Sequence, residues 1–130
     1  MQTRDIEFNS CGDTIRGTLY MPDGVKNPPL VVMAGGWCYV KEIVMPYYAD
    51  DFVEIGCACL IFDYRCFGDS DGLPRQHIDP WGQIEDYRNA VSFAKTLDEI
   101  DADRIGVWGI SYSGGHAICV AALDTRVKFA

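Results

Sequence analysis

Residues 104–115 read Arg-Ile-Gly-Val-Trp-Gly-Ile-Ser-Tyr-Ser-Gly-Gly, and this stretch decides the architecture. Ile105-Gly106-Val107-Trp108 is a short apolar run of the kind buried on both faces of a sheet, and the small-residue run through Ala117, Ile118, Ala121 and Ala122 predicts a helix directly after it. A strand that turns at once into a helix lifts one side chain above the sheet, and the turn needs small residues two before and two after its tip. Gly109 and Ser113 meet that need around Ser111, with Gly114 and Gly115 close behind, so the turn occupies 109–115. A second register, with Ser113 at the tip between Ser111 and Gly115, stays open. Gly109 favours Ser111, because it ends the apolar run where the turn must begin. The bland alternative is a glycine-rich helix start that packs closely or binds a phosphate. The phosphate version lacks both G-x-G-x-x-G and G-x-x-x-x-G-K-[ST].

Upstream, residues 4–20 alternate Ile6 and Phe8 with Asp5 and Glu7, then Ile15 and Leu19 with Arg16 and Thr18, across Cys11-Gly12-Asp13, which predicts a hairpin. Leu30-Val31-Val32-Met33-Ala34 is a continuous apolar run after Pro28-Pro29 and ends in Gly35-Gly36. From Pro46, Tyr48, Phe52 and Ile55 recur at helical spacing until Gly56 supplies a stop, and Cys57–Phe62 is a second buried strand. Asp79-Pro80 offers an N-cap and first-turn pair for a long amphipathic helix marked by Ile84, Tyr87, Val91, Ala94 and Leu97. Arg126-Val127-Lys128-Phe129 resembles the start of a further strand. Two antiparallel strands followed by β-α-β units predict one α/β domain with a mostly parallel sheet and helices on both faces. The chain stops as a new strand begins, so the sheet is expected to be unfinished.

A formal net charge of −8 without a Lys/Arg cluster argues against nucleic acid and anionic membranes as partners. The segment Met1-Gln2-Thr3-Arg4-Asp5 carries no apolar leader, and no apolar run approaches the roughly 20 residues of a membrane span, so the expected address is cytoplasmic. Of six cysteines, Cys57, Cys59 and Cys119 sit in apolar segments and read as small buried hydrophobes. Cys57-Ala58-Cys59 lacks C-x₂-C spacing, and only His77 and His116 are present to complete a site, so no metal is expected.

Acyl-transfer chemistry at a serine needs two N–H donors aimed at the developing oxyanion, one following the nucleophile and one from the loop after an earlier strand. Tyr112 supplies the first, and Trp37, after Met33-Ala34-Gly35-Gly36, is the candidate for the second through its backbone. Without the serine turn, Gly35 and Gly36 would read only as a bend in the chain.

Together these residues resemble the α/β-hydrolase superfamily, specifically its Xaa-Pro dipeptidyl-peptidase-like and cocaine-esterase-like branch. Residues 62–72, Phe-Asp-Tyr-Arg-Cys-Phe-Gly-Asp-Ser-Asp-Gly, resemble that superfamily's D-x-R-G-x-G-x-S loop. Leu73-Pro74-Arg75-Gln76, Ile78-Asp79-Pro80 and Gln83–Arg88 extend the likeness to a bacterial and fungal subgroup with polyketide-processing hydrolases and acyltransferases. The branch motif G-x-S-[YF]-x-G is matched by Gly109, Ser111, Tyr112 and Gly114. Gly35 stands where the family often has His, and Cys66 where it has Gly.

The resemblance implies the N-terminal half of an α/β-hydrolase fold whose catalytic Asp and His lie beyond residue 130. His116, on the helix leading away from the turn, and His77 are the weaker candidates for the base. Asp86 and Arg88 read as a helix face, and Asp63 and Arg65 as loop scaffold. The resemblance further implies a serine hydrolase that forms an acyl-enzyme on Ser111, acts on a small-molecule, short-peptide or acyl substrate, needs no cofactor, and is compatible with homo-oligomers. Two alternatives remain: an acyltransferase using an acceptor other than water, and a non-catalytic truncated hydrolase acting as an interaction module.

Overall fold

The computed structural model describes residues 1–130. Strands β1 (Gln2–Ser10) and β2 (Asp13–Met21) form the expected hairpin, two residues longer at its N-terminal end and one at the other. Cys11 and Gly12 both take positive φ, 52° and 98°, as a two-residue turn matched to right-handed strand twist requires. Strands β3 (Leu30–Ala34), β4 (Ala58–Phe62), β5 (Ile105–Gly109) and β6 (Val127–Phe129) complete one six-stranded sheet in the order β1-β2-β4-β3-β5-β6. β2 runs antiparallel to β1 and β4, whereas β3 is parallel to β4 and β5, and β5 to β6.

Two apolar layers explain why β3 and β4 read as unbroken apolar runs. Leu30, Val32 and Ala34 face a larger core with Leu60, Phe62, Tyr87 and Val91. Val31 and Met33 face the opposite side, with Cys59, Ile61 and Met45. Helix α1 (Met45–Glu54) covers the second side, and helices α2 (Pro80–Ala94) and α3 (Tyr112–Leu123) cover the first. The chain therefore leaves β3 toward one face and β5 toward the other. Adjacent strands that diverge in this way open a crevice at their carboxyl ends, where α/β proteins bind ligands.

Several expected faces shift. In α1 the buried positions are Met45, Ala49 and Val53; Tyr48 and Phe52 are half-buried against Trp108, with ring centroids at 4.4 and 6.4 Å, and Ile55 is 74% exposed. Ile55 lies past the last helical residue, so helical spacing no longer aims its side chain inward, and Gly56 follows at φ 89°. Ile55→Gln is expected to change stability by less than about 0.5 kcal/mol, whereas Met45→Ala is expected to cost about 2–5 kcal/mol. Urea unfolding of the full-length gene product checks both, and the opposite ranking would mean that the α1 face is misassigned.

Helix α3 buries Ser113, His116, Ala117 and Val120, while Ile118 and Ala122 are exposed. Asp79 takes the extended conformation of a cap residue, but its side chain makes no capping hydrogen bond. Asp86 is not on a solvent face: it is fully buried and ion-paired with Arg65. All six cysteines are free; Cys59 is buried as expected, Cys57 and Cys119 are half-buried, and Cys11 and Cys38 are exposed. No helix is long and apolar enough to cross a membrane.

Candidate active site

Ala34 of β3 pairs with Gly109 of β5, and beyond this pair the two strands part. Both predicted loops begin there. Ser111 sits at the junction of β5 and α3, exposed, at φ 56° and ψ −120°. A non-glycine residue at positive φ is strained, a cost of order 1–3 kcal/mol that the surrounding fold must hold in place. Gly109 makes the turn sterically feasible, since a Cβ there would lie 2.1 Å from the Ser113 carbonyl oxygen. Gly114 and Gly115 carry no such demand: the nearest atom to a Cβ at Gly114 is 3.7 Å away, and at Gly115 none lies within 4 Å. Of the three glycines, Gly109 is the one at which the turn leaves no room for a Cβ.

Ser113 occupies a different environment. It is fully buried, its Oγ accepts from the Ile110 N–H at 2.9 Å, and it lies 3.0 Å from the Ile110 oxygen. Its hydroxyl closes the turn from inside, while Ser111 Oγ has no hydrogen-bond partner within the chain.

The loop after β3 lies beside Ser111. A Cβ on Gly36 would stand 3.2 Å from the Ile110 carbonyl oxygen, a tight contact, and 3.4 Å from Ser111 Cβ and 3.9 Å from its Oγ, so this backbone runs directly alongside the turn. Gly35 has no room for a side chain, with Tyr39 Cβ 2.4 Å from the position. The Trp37 and Tyr112 rings meet edge to face at 5.1 Å, which brings the two candidate oxyanion residues together. Tyr112 opens α3, where main-chain N–H groups have no helical acceptor. The Trp37 N–H makes no hydrogen bond within the chain.

A buried carboxylate holds the Trp37 loop from its far end. Asp63, 1% exposed, accepts from the Lys41 N–H at 2.6 Å, from Lys41 Nζ at 3.2 Å and from the Asp69 N–H at 3.0 Å. Burial pulls the Lys41 ammonium down, but hydrogen bonds to Asp69 and Glu42 and the charge of Asp63 leave it raised. Gly68, at φ 52°, lets the second loop wrap the same carboxylate, since a Cβ there would fall 2.2 Å from Asp63 Oδ2. Between these loops lies a cleft of about 440 Å³ lined by Cys38, Val40, Cys66, Phe67, Arg75 and neighbours. Ser111 lines none of the molecule's clefts.

Neither histidine is hydrogen-bonded to Ser111. His116 is 4% exposed, its Nε2 lies 2.9 Å from Gln83 Oε1, and burial lowers its pKa, so it is a neutral core residue joining α3 to α2. His77 is exposed on an irregular segment. No group of three or more His, Cys, Asp or Glu side chains is arranged to hold a metal ion.

Sheet order, crossover sides and a serine at a strained strand-to-helix turn define an α/β-hydrolase fold. The chain belongs to the X-Pro dipeptidyl-peptidase (S15) family, whose model matches residues 12–128. It is 42% identical over 123 residues to the quorum-quenching protein AidA of Acinetobacter baumannii, covering 95% of this chain and 40% of that protein. It is 46% identical over 125 residues to thiohydrolase aneE of Aspergillus aculeatus, covering 95% and 39%. To acyltransferase drtE of Aspergillus calidoustus it is 39% identical over 129 residues, covering 98% and 41%. Among solved structures, the α/β-hydrolase GrgF from Penicillium sp. sh18 superposes with a TM-score of 0.92 at 34% identity, covering 98% of this chain and 44% of that one. The chain spans about two fifths of the length of the curated relatives it matches.

Proposed function

We propose that the protein is a serine hydrolase acting on an ester, thioester or amide carbonyl through an acyl-enzyme on Ser111. One observation carries this reading: the exposed Ser111 hydroxyl stands at a strained strand-to-helix turn, with the Gly36 backbone alongside it. In the reaction a histidine takes the Ser111 Oγ proton as the oxygen attacks the carbonyl carbon. The carbonyl π electrons move onto oxygen, where the Tyr112 and Trp37 N–H groups receive the negative charge. Collapse expels the alcohol, thiol or amine, which takes the proton from the histidine, and leaves the acyl group on Ser111. Water then repeats the attack and frees the acid.

The histidine and its acid are assigned to sequence outside these 130 residues. The occupation of His116 by Gln83 and the exposed position of His77 support this assignment. The similarity to an acyltransferase favours a second reading, in which an alcohol or amine replaces water as acceptor. The two readings share the acyl-enzyme and separate by product analysis.

A fluorophosphonate probe applied to the full-length gene product is expected to label Ser111, as located by peptide mapping. Label on Ser113, or a folded and active protein that takes up no label, would overturn the assignment.

A further inference from the structure

We infer that the phenol hydroxyls of Tyr87 and Tyr64 set the spacing between the two loops that carry the oxyanion donors. This inference rests on the reading of Ser111 as nucleophile. Tyr87 lies on α2, fully buried. Its hydroxyl accepts from the Ala34 N–H at 2.9 Å and donates to the Trp108 carbonyl at 2.9 Å. One oxygen therefore bridges β3 and β5 at the rung where they part. Three residues beyond Ala34 is Trp37, and three beyond Trp108 is Ser111. Tyr64, 2% exposed, donates to the Gly35 carbonyl at 3.0 Å, fixing the next peptide of the same loop. The rings of Tyr64 and Tyr87 pack together with centroids 6.1 Å apart, and Tyr64 meets His116 edge to face at 5.9 Å. His116 in turn lies 4.6 Å from the ring of Tyr112.

A buried aromatic ring needs no hydroxyl to fill volume, and phenylalanine would pack equally at both positions. Here the Tyr87 hydroxyl meets the ends of β3 and β5, and the Tyr64 hydroxyl meets the first peptide of the loop after β3. Burial pushes the Tyr87 hydroxyl up to about 12, so it stays protonated at neutral pH and can accept and donate at once. Ala34 also pairs with Gly109 in the β3–β5 ladder, so the Tyr87 oxygen is an added bridge at that last rung; without it the rung keeps only its main-chain pairing and loses the side-chain contact that fixes the separation of the two strand ends. Oxyanion donors act only within a few tenths of an ångström of the developing charge, and a misplacement of about 1 Å can cost roughly 10²-fold. Tyr87 and Tyr64 are thus positioning residues that reach the reacting atoms through the backbone.

The test uses the full-length gene product with p-nitrophenyl butyrate as substrate and phenylboronic acid as a tetrahedral-adduct probe. Turnover is normalised to sites titrated with a fluorophosphonate. For Tyr87→Phe, kcat per titrated site is expected to fall about 10- to 100-fold with KM held within about twofold, and boronate affinity to weaken by the same factor as kcat. Tyr64→Phe should show the same pattern at a smaller size, about 3- to 10-fold, and it carries the test alone if Tyr87→Phe does not fold. A role confined to stability would lower the number of titratable sites and leave kcat per site and boronate affinity unchanged, which overturns the inference. Ser111→Ala is measured in parallel. Wild-type turnover in that variant would defeat the nucleophile reading and this inference with it. An inactive Ser111→Ala beside fully active tyrosine variants would defeat the inference alone.

Discussion

Replacing Ser111 by Ala in the full-length protein is expected to remove nearly all ester or thioester turnover, a loss of up to roughly 10⁶-fold in kcat by comparison with serine proteases. The size follows from what is lost. With no oxygen at the tip of the turn, the acyl group has no acceptor, and only the oxyanion donors and substrate binding remain to act on a water-mediated reaction. The contrast is Ser113→Ala. Its hydroxyl is bonded to Ile110 inside the turn, so its removal leaves the Ile110 N–H without that acceptor and is expected to cost about 1–3 kcal/mol of stability. Turnover per folded molecule should remain within about tenfold, because no reacting atom is touched. Ser113→Gly, which removes the Cβ together with the hydroxyl, tests the same point without a side chain. Steady-state rates alongside melting curves separate the outcomes. A dead Ser113→Ala protein beside an active Ser111→Ala protein would show that the nucleophile is two residues further along.

The sheet and its helices were legible because each apolar run is bounded by glycine or proline. Gly35 ends β3, Gly56 ends α1, and Gly109 ends β5, so period and punctuation agree. The turn at Ser111 was legible for a steric reason: a small residue is needed at 109, and Gly109 directly follows an apolar strand. What stayed hidden is polar chemistry inside the core. Tyr87 falls in the apolar stripe of α2, where a tyrosine and a phenylalanine give the same periodicity, and nothing in the stripe tells that its hydroxyl bridges β3 and β5. Asp86, its neighbour, looks like one of many acidic helix residues. Its burial depends on Arg65, which is 21 positions away in sequence, and on Ser10, 76 away. Pairings at such separations are decided by sheet order, so a local pattern cannot carry them. The Lys41–Asp63 tie is hidden for the same reason, although an aspartate directly after a buried strand was already read as scaffold.

Arg65→Met is expected to destabilise the protein by about 3–5 kcal/mol at neutral pH. Asp86 has no exposed surface and receives Arg65 through its main-chain N–H at 3.0 Å, Nε at 2.9 Å and Nη2 at 2.7 Å; Ser10 Oγ donates at 2.6 Å. Arg65 Nη2 also reaches the Gly82 carbonyl at 3.1 Å, so the pair joins the hairpin end, the loop after β4 and the start of α2. Burial pushes the Asp86 carboxyl up, and the hydrogen bonds from Arg65 and Ser10 oppose it. Methionine fills much of the stem volume but withdraws the charge and the side-chain donors, so the carboxylate is left buried with Ser10 and one main-chain N–H. Its pKa must then rise further. A carboxyl whose folded pKa lies above its unfolded value favours folding fully below the unfolded pKa, near 3.9 for aspartate, and loses that contribution as pH rises through the folded value. The deficit of Arg65→Met against wild type should therefore be small near pH 4 and widen toward pH 7. Urea midpoints of both proteins across that range decide the matter. A deficit that is constant with pH would mean that Arg65 acts through packing of its stem rather than through its charge on Asp86.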